Sequence, residues 1–244
     1  MLNKLKINYT DFFIFTFIII MTSNHFNYNT FMTAGLSSSI GIVISHPIDT
    51  IKTLNQVSIK QTSNRINIKL FNGLIYPLKS NFILNGTVFY LHEYFYNIIY
   101  NHYISGLITG ILSSPINNYY ELYKINSQCL KYNKSILLNP FNGIMATICR
   151  DSIGNSLYFG SYYTLNDYTN SNFISGGLAG LISWTPTYWI DTIKTRIQNN
   201  TKLTYKNAFN EGNLMKGFRY CAIRSFIYNA IVFHTYELFK KYVS

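Results

Sequence analysis

Charge is what this chain has least of. Asp, Glu, Lys and Arg together supply 12% of its 244 residues, about half the share of a soluble domain. Side chains so sparsely charged cannot solvate the surface of a 28.3 kDa protein, and lipid is the surrounding they fit. Basic runs are missing too. The formal charge of +11 falls as single Lys and Arg residues between apolar blocks. That pattern excludes nucleic acid as a partner and leaves anionic lipid or anionic solutes. Cysteines number three, at Cys129, Cys149 and Cys221, with no C-x-x-C and no H-E-x-x-H in the chain. A disulfide framework and a metal centre are therefore unsupported. His25, His46, His92, His102 and His234 are scattered, and no nucleophile–base constellation accompanies them. The chain is not expected to be an enzyme or to hold a cofactor. Near the N-terminus the apolar stretch Asp11–Met21 reaches only half of the ~20 residues a spanning helix needs. Residues 1–27 read as an N-terminal extension.

What the chain does have is repetition. The hexapeptide IDTIKT occurs at Ile48–Thr53 and again at Ile190–Thr195. Each copy follows a stretch with small residues four apart, Ala34 and Ser38 in one, Gly176 and Gly180 in the other. Such spacing lets helices approach closely in lipid. A third copy stands midway, with Gly106 and Gly110 as the small pair, then Glu121, Lys124 and Gln128. In all three the acid falls 15 residues after the first small residue, the base three later, and a Gln four later again. Between these blocks run further stretches of about 25 residues, opening at Phe71, Phe141 and Met215, long enough to span a bilayer with modest tilt. The expected fold is all-α and membrane-bound: six transmembrane helices in three pseudo-threefold repeats, at 28–100, 101–170 and 171–244. Two helices per unit give every unit one orientation, so the symmetry axis follows the membrane normal.

An acid and a base three apart share a helix face, and ionisable residues inside a membrane point into a bundle or cavity. With three copies each acid can reach the next repeat's base, Asp49 to Lys124, Glu121 to Lys194, Asp191 to Lys52. At about 0.2–1 kcal/mol per exposed pair, such a ring is breakable, as a gate must be. Gln56, Gln128 and Gln198 are placed to brace it.

Pro47–Thr53, reading PIDTIKT, is similar to the P-x-[DE]-x-x-[KR] signature of the mitochondrial carrier family, which occurs three times per chain. The resemblance covers roughly residues 30–242. It implies a six-helix solute carrier, multi-pass in the mitochondrial inner membrane (a host cell's, were the gene viral or parasitic). Such a carrier works by alternating access, as an antiporter and as a monomer. The acid–base ring would be its matrix gate. Gly73, Gly143 and Gly217 resemble the family's cardiolipin-binding helix ends, where backbone N–H groups and the helix dipole meet a phosphate. Tyr119 and Trp189 depart from the signature, standing where its proline is expected, though Pro115 and Pro186 lie just upstream. The links after Gln56 and Gln128 are short for the family, so its matrix-parallel helices must be short or missing in repeats one and two. The cytoplasmic gate looks weak: its pattern survives whole only at Tyr236, Glu237 and Lys240, with Glu93 and Tyr163 in the other repeats. That ring is expected to leave the protein resting open to the intermembrane space.

Arg150 and Asp151 lie about 10 Å into the fourth helix at 1.5 Å per residue, where the family contacts substrate. Arg can grip a carboxylate bidentately while Asp answers an ammonium. Arg224 stands at similar depth on the sixth helix, in a segment resembling the carnitine and basic amino acid branch, and Ser80, Asn81 and Asn85 on the second. The small-molecule substrate implied is a carboxylate-bearing or zwitterionic metabolite, an amino acid or a carnitine-like solute. Two arginines against one Asp leave the cavity net positive, which keeps a nucleotide or deoxynucleotide carrier open. The weak cytoplasmic ring keeps a degenerate carrier acting as a membrane scaffold open as well.

Overall fold

A computed structural model describes residues 28–56, 71, 74–128, 141–200 and 203–243. Seven helices account for nearly all of them: α1 (Tyr28–Gln56), α2 (Ile75–Ile99), α3 (His102–Gln128), α4 (Ile144–Thr169), α5 (Asn172–Asn199), α6 (Tyr205–Asn210) and α7 (Phe218–Val243). The six long ones form a closed ring in chain order, each packed on its two neighbours, with α7 returning to α1. Among the described residues there is no strand. The even-helix blocks opening at Phe71, Phe141 and Met215 become regular helix three or four residues later.

Two turns set the sharp returns at the end where α1 starts, here the terminal end. Tyr100 and Asn170 adopt left-handed φ values of 56° and 50° and close α2 and α4 with backbone bonds to Tyr96 and Asn166. The opposite end carries the acid–lysine motifs. There α6 links α5 to α7, and Arg196 fastens it by donating to the carbonyls of Ala208 (2.9 Å) and Gly212 (2.8 Å).

Polarity is arranged inside out. Leu36, Ile40, Val43 and Ile44 of α1 and Leu107, Ile111 and Leu112 of α3 are exposed, while Ser37, Ser38, Ser45, Thr109, Ser113, Ser114, Asn118 and Thr187 are buried. In water this would be unstable. In lipid it is the stable order, because the apolar side meets acyl chains and polar groups meet each other. By hydropathy alone, among the described residues only Tyr28–Ile48 is long and apolar enough to cross a membrane; the polar inner faces dilute the signal of the rest. Many inner hydroxyls are satisfied by their own helix, as where Thr33, Ser105, Ser114 and Thr187 donate to the carbonyl four residues back.

The small pairs fix the depth at which odd helices meet even ones. A Cβ on Gly110 would stand 2.3 Å from the Asp151 carbonyl oxygen, and one on Gly106 2.4 Å from that of Asn155. Only glycine permits this backbone approach. In repeat one Ser38 does the corresponding work, its hydroxyl donating to the Asn81 carbonyl at 3.0 Å.

Candidate functional site

Where the six helices surround the axis they leave a cavity of about 250 Å³. Its wall is rich in amides and hydroxyls, with the charged side chains Glu121, Arg150, Asp151, Asp191 and Arg224. Every substrate residue expected from sequence is on this wall, Ser80, Asn81 and Asn85 from α2 included.

Arg150 is the centre of the charged floor. Its Nε and Nη2 donate to Asp151 Oδ1 at 2.7 and 2.5 Å, and its Nη1 to Glu121 Oε1 at 3.0 Å and Asp191 Oδ1 at 2.8 Å. One guanidinium thus joins α4 to both α3 and α5, a use of the planar five-donor fork that Lys could not reproduce. Asn117 completes the site by donating to Asp151 Oδ2 at 2.8 Å. Arg150 was expected to face a substrate with only Asp151 beside it, in a positive cavity. The structure corrects this balance. Among the described residues three carboxylates line the wall against two guanidiniums, and buried Lys194, in ion-pair contact with Glu121, brings their sum to neutral.

Glu121 and Lys194 are therefore brought together across α3 and α5. The side chains of Asp49, Lys52, Lys124, Gln56 and Gln128 lie outside the described residues, as does Gly73. Gln198 is fully buried, and its described donor bond goes elsewhere than to the ion pair. Its amide donates to Asn118 Oδ1 at 2.9 Å, an oxygen that also accepts from Thr147 Oγ1 at 2.8 Å. Gln198 hence links α5 to α3 and α4 through Asn118, which the sequence reading missed. Gly143 and Gly217 stand at the starts of α4 and α7 with φ of 77° and 87°.

Trp184 was also missed. The guanidinium carbons of Arg150 and Arg224 lie 5.8 and 5.4 Å from its ring centroid, and Arg224 lies 6.0 Å from that of Tyr228. Flat aromatic faces hold such cations without consuming their in-plane N–H donors.

The terminal end departs most from expectation. Among the described residues no ion pair joins Glu93, Glu237 and Lys240, and Tyr163 does not reach Lys240. It stacks instead on His102 at 3.7 Å, and His102 on Tyr96 at 3.9 Å. This end does not gape for want of ion pairs. Phe89, Phe159 and Phe233, one from each even helix, pack across the axis, with Phe89 centred 5.4 Å from Phe159, 5.7 Å from Phe233 and 5.0 Å from Tyr236. All three phenylalanines are buried, Phe159 to 1% exposure. Tyr162 stacks on Phe233 at 3.5 Å and His92 on Phe159 at 3.8 Å. The weak charged ring was expected to leave this end open; an aromatic layer closes it by packing instead, with no ion pair among the described residues there.

Comparison with known proteins gives one consistent answer. Residues 166–244 match the family model described as mitochondrial carrier protein. The mitochondrial arginine transporter of Arabidopsis thaliana is 25% identical over an alignment of 263 residues, spanning 85% of this chain and 89% of that protein. The mitochondrial ornithine transporter of Schizosaccharomyces pombe is 25% identical, spanning 87% of this chain and 92% of its own length. The mitochondrial carnitine carrier of Saccharomyces cerevisiae is 29% identical over 57% of this chain and 54% of its own.

Proposed function

Because this chain belongs to the mitochondrial carrier family, a family of transporters and not of enzymes, we propose that it moves a small carboxylate-bearing or zwitterionic metabolite across the mitochondrial inner membrane by alternating access. The observation that carries the reading is the floor of the cavity, with two guanidiniums against Trp184 and Asp151 beside them. Arg224 offers a carboxylate its fork, and Asp151 and Asp191 face an ammonium. Relatives named for arginine, ornithine and carnitine handle solutes of that kind. Glu121–Lys194 and its symmetry counterparts close the acid–lysine end, toward the matrix, and the three repeats act as equivalent units. The monomer is the transporting unit, and the ends of α4 and α7 at Gly143 and Gly217 receive a cardiolipin phosphate.

Three carboxylates on the wall weigh against a nucleotide, whose phosphates would meet like charge. A non-transporting scaffold is favoured by the missing ion pairs at the terminal end, and the phenylalanine layer answers that objection. Uptake into liposomes holding the purified protein tests the proposal. Saturable entry of a labelled amino acid or carnitine, lost in Arg224→Ala, is the expected result. Entry of nucleotides alone, or of nothing from folded protein, would overturn it.

A further inference from the structure

The even helices show a register that the charged residues conceal. Counted from Phe71, Phe141 and Met215, the ninth residue on is Ser80, Arg150 and Arg224, and the eighteenth is Phe89, Phe159 and Phe233. Between these levels, fourteen residues on, every repeat has asparagine: Asn85, Asn155 and Asn229. All three line the cavity. They form an amide collar ~7–8 Å from the arginine level, five residues at the rise of an α-helix, and one turn beneath the phenylalanine layer.

Bonding within the protein shows what the collar has to offer. Asn85 donates its Nδ2 to the Tyr228 hydroxyl at 3.1 Å and to Asn81 Oδ1 at 3.2 Å. Asn229 donates to the Ser225 carbonyl at 2.8 Å and is wedged against Gly180. Both side chains are thereby held, with their Oδ1 carbonyls as the acceptors they present. Asn155 is half-buried in the wall and makes no side-chain hydrogen bond to a described residue, so it presents donor and acceptor together. Among the described lining residues the carboxylates are Glu121, Asp151 and Asp191, all gathered on Arg150 at the floor. Glu93 and Glu237 lie beyond the phenylalanines.

We propose that Asn85, Asn155 and Asn229 form a second subsite, which takes the uncharged hydrogen-bonding terminus of an amino acid whose carboxylate is held at the floor. Amides satisfy a carboxamide or ureido group fully. An ammonium placed there would give up its hydration with no anion to replace it, and an alkyl end would leave Asn155 unpaired in the wall. The substrate class is then an α-amino acid with a terminal carboxamide or ureido group, of the glutamine or citrulline type, rather than a dibasic one. This rests on the transport reading above.

The test is uptake by the full chain in liposomes of labelled glutamine, citrulline, ornithine, lysine, arginine and norleucine. Wild-type protein is expected to take glutamine or citrulline at least tenfold faster than ornithine, lysine or norleucine at equal subsaturating concentration, and citrulline faster than arginine. Asn155→Leu is expected to invert the glutamine-to-norleucine ratio, and Asn155→Asp to raise the ornithine-to-glutamine ratio at least tenfold. Ratios cancel any loss of folded protein, and the Asp variant keeps the size of the side chain should the Leu variant fail to fold. Ornithine, lysine or arginine uptake equal to that of the neutral amino acids, or ratios unmoved by both variants, would overturn the collar. Carboxylate solutes entering regardless of their far end would sink the collar alone, whereas entry of none would sink the transport reading with it.

Discussion

Replacing Arg150 by Gln removes one cation from a cluster of three acids. Arg150 is 7% exposed at its side chain, Asp191 5%, Asp151 8% and Glu121 24%. With the guanidinium gone, Asp151 keeps the Asn117 amide and Glu121 its contact with Lys194, but Asp151 and Asp191 lose the cation they share in a protein interior. Stripping one partner from a buried ionic cluster costs about 3–5 kcal/mol, while removing both partners is often close to neutral. At about 2–4 °C per kcal/mol for a chain of this size, Arg150→Gln should unfold ~6–20 °C lower in detergent. The double variant Arg150→Gln, Asp151→Asn should regain part of that loss, because one stranded carboxylate has gone with the cation. Arg150→Lys should fall between wild type and Arg150→Gln, since a single ammonium cannot span three carboxylates. Thermal unfolding followed by intrinsic fluorescence reads all four proteins. An Arg150→Gln midpoint equal to wild type, or a double variant no better than the single one, would refute the reasoning.

Other consequences can be measured on the same preparation. Gly110→Ala should lower the unfolding midpoint by several degrees, because its new Cβ meets the Asp151 carbonyl at 2.3 Å and overpacking costs about 1–3 kcal/mol. Phe159→Ala should open the terminal end, read as faster thiol-reagent labelling of a cysteine introduced as Asn85→Cys in the cavity, and lose about 3–5 kcal/mol of stability; Phe159→Leu should label far more slowly. Trp184→Ala should raise the KM for a carboxylate solute roughly 5–30-fold, from losing cation–π contacts of ~0.5–1 kcal/mol or more each with both arginines; an unchanged KM would remove Trp184 from the site. Asn118→Leu should destabilise by about 1–3 kcal/mol, through the buried Gln198 amide it leaves unbonded while Thr147 falls back on the Gly143 carbonyl, as checked by the unfolding midpoint.

How much of this was legible in the sequence follows from what kind of residue repeats. Asp49, Glu121 and Asp191 stand out because acids are rare in this chain, so three in register with three lysines cannot be an accident of composition. The six helices and their ring order follow from that. Asn85 was read as a substrate contact, but its regular recurrence as Asn155 and Asn229 was hidden, because asparagine is abundant here. The phenylalanine layer was hidden for the same reason, among 18 phenylalanines. Arg150 shows a different limit. Its register on α4 was readable, its partners were not, since periodicity places a side chain on a helix face without saying which neighbours a long flexible arm will reach. Gln198 shows the same limit: sequence spacing placed it near Lys194, and packing turned its amide to Asn118.

The inner hydroxyls that bond back to their own helices bear on motion. A hydrogen bond between two helices is a peg that must be pulled before either can shift. Thr33, Ser105, Ser114 and Thr187 drive few such pegs, since each hydroxyl travels with the carbonyl that satisfies it. Along most of their length the contact surfaces are therefore lubricated, smooth and already solvated from within. Pegs are concentrated at a few levels, around Asn118, around Arg150 and at Ser38–Asn81. Friction in this bundle is local, gathered at those levels and at Asn85–Tyr228, and a solute that loosens them frees helices that elsewhere have less to let go.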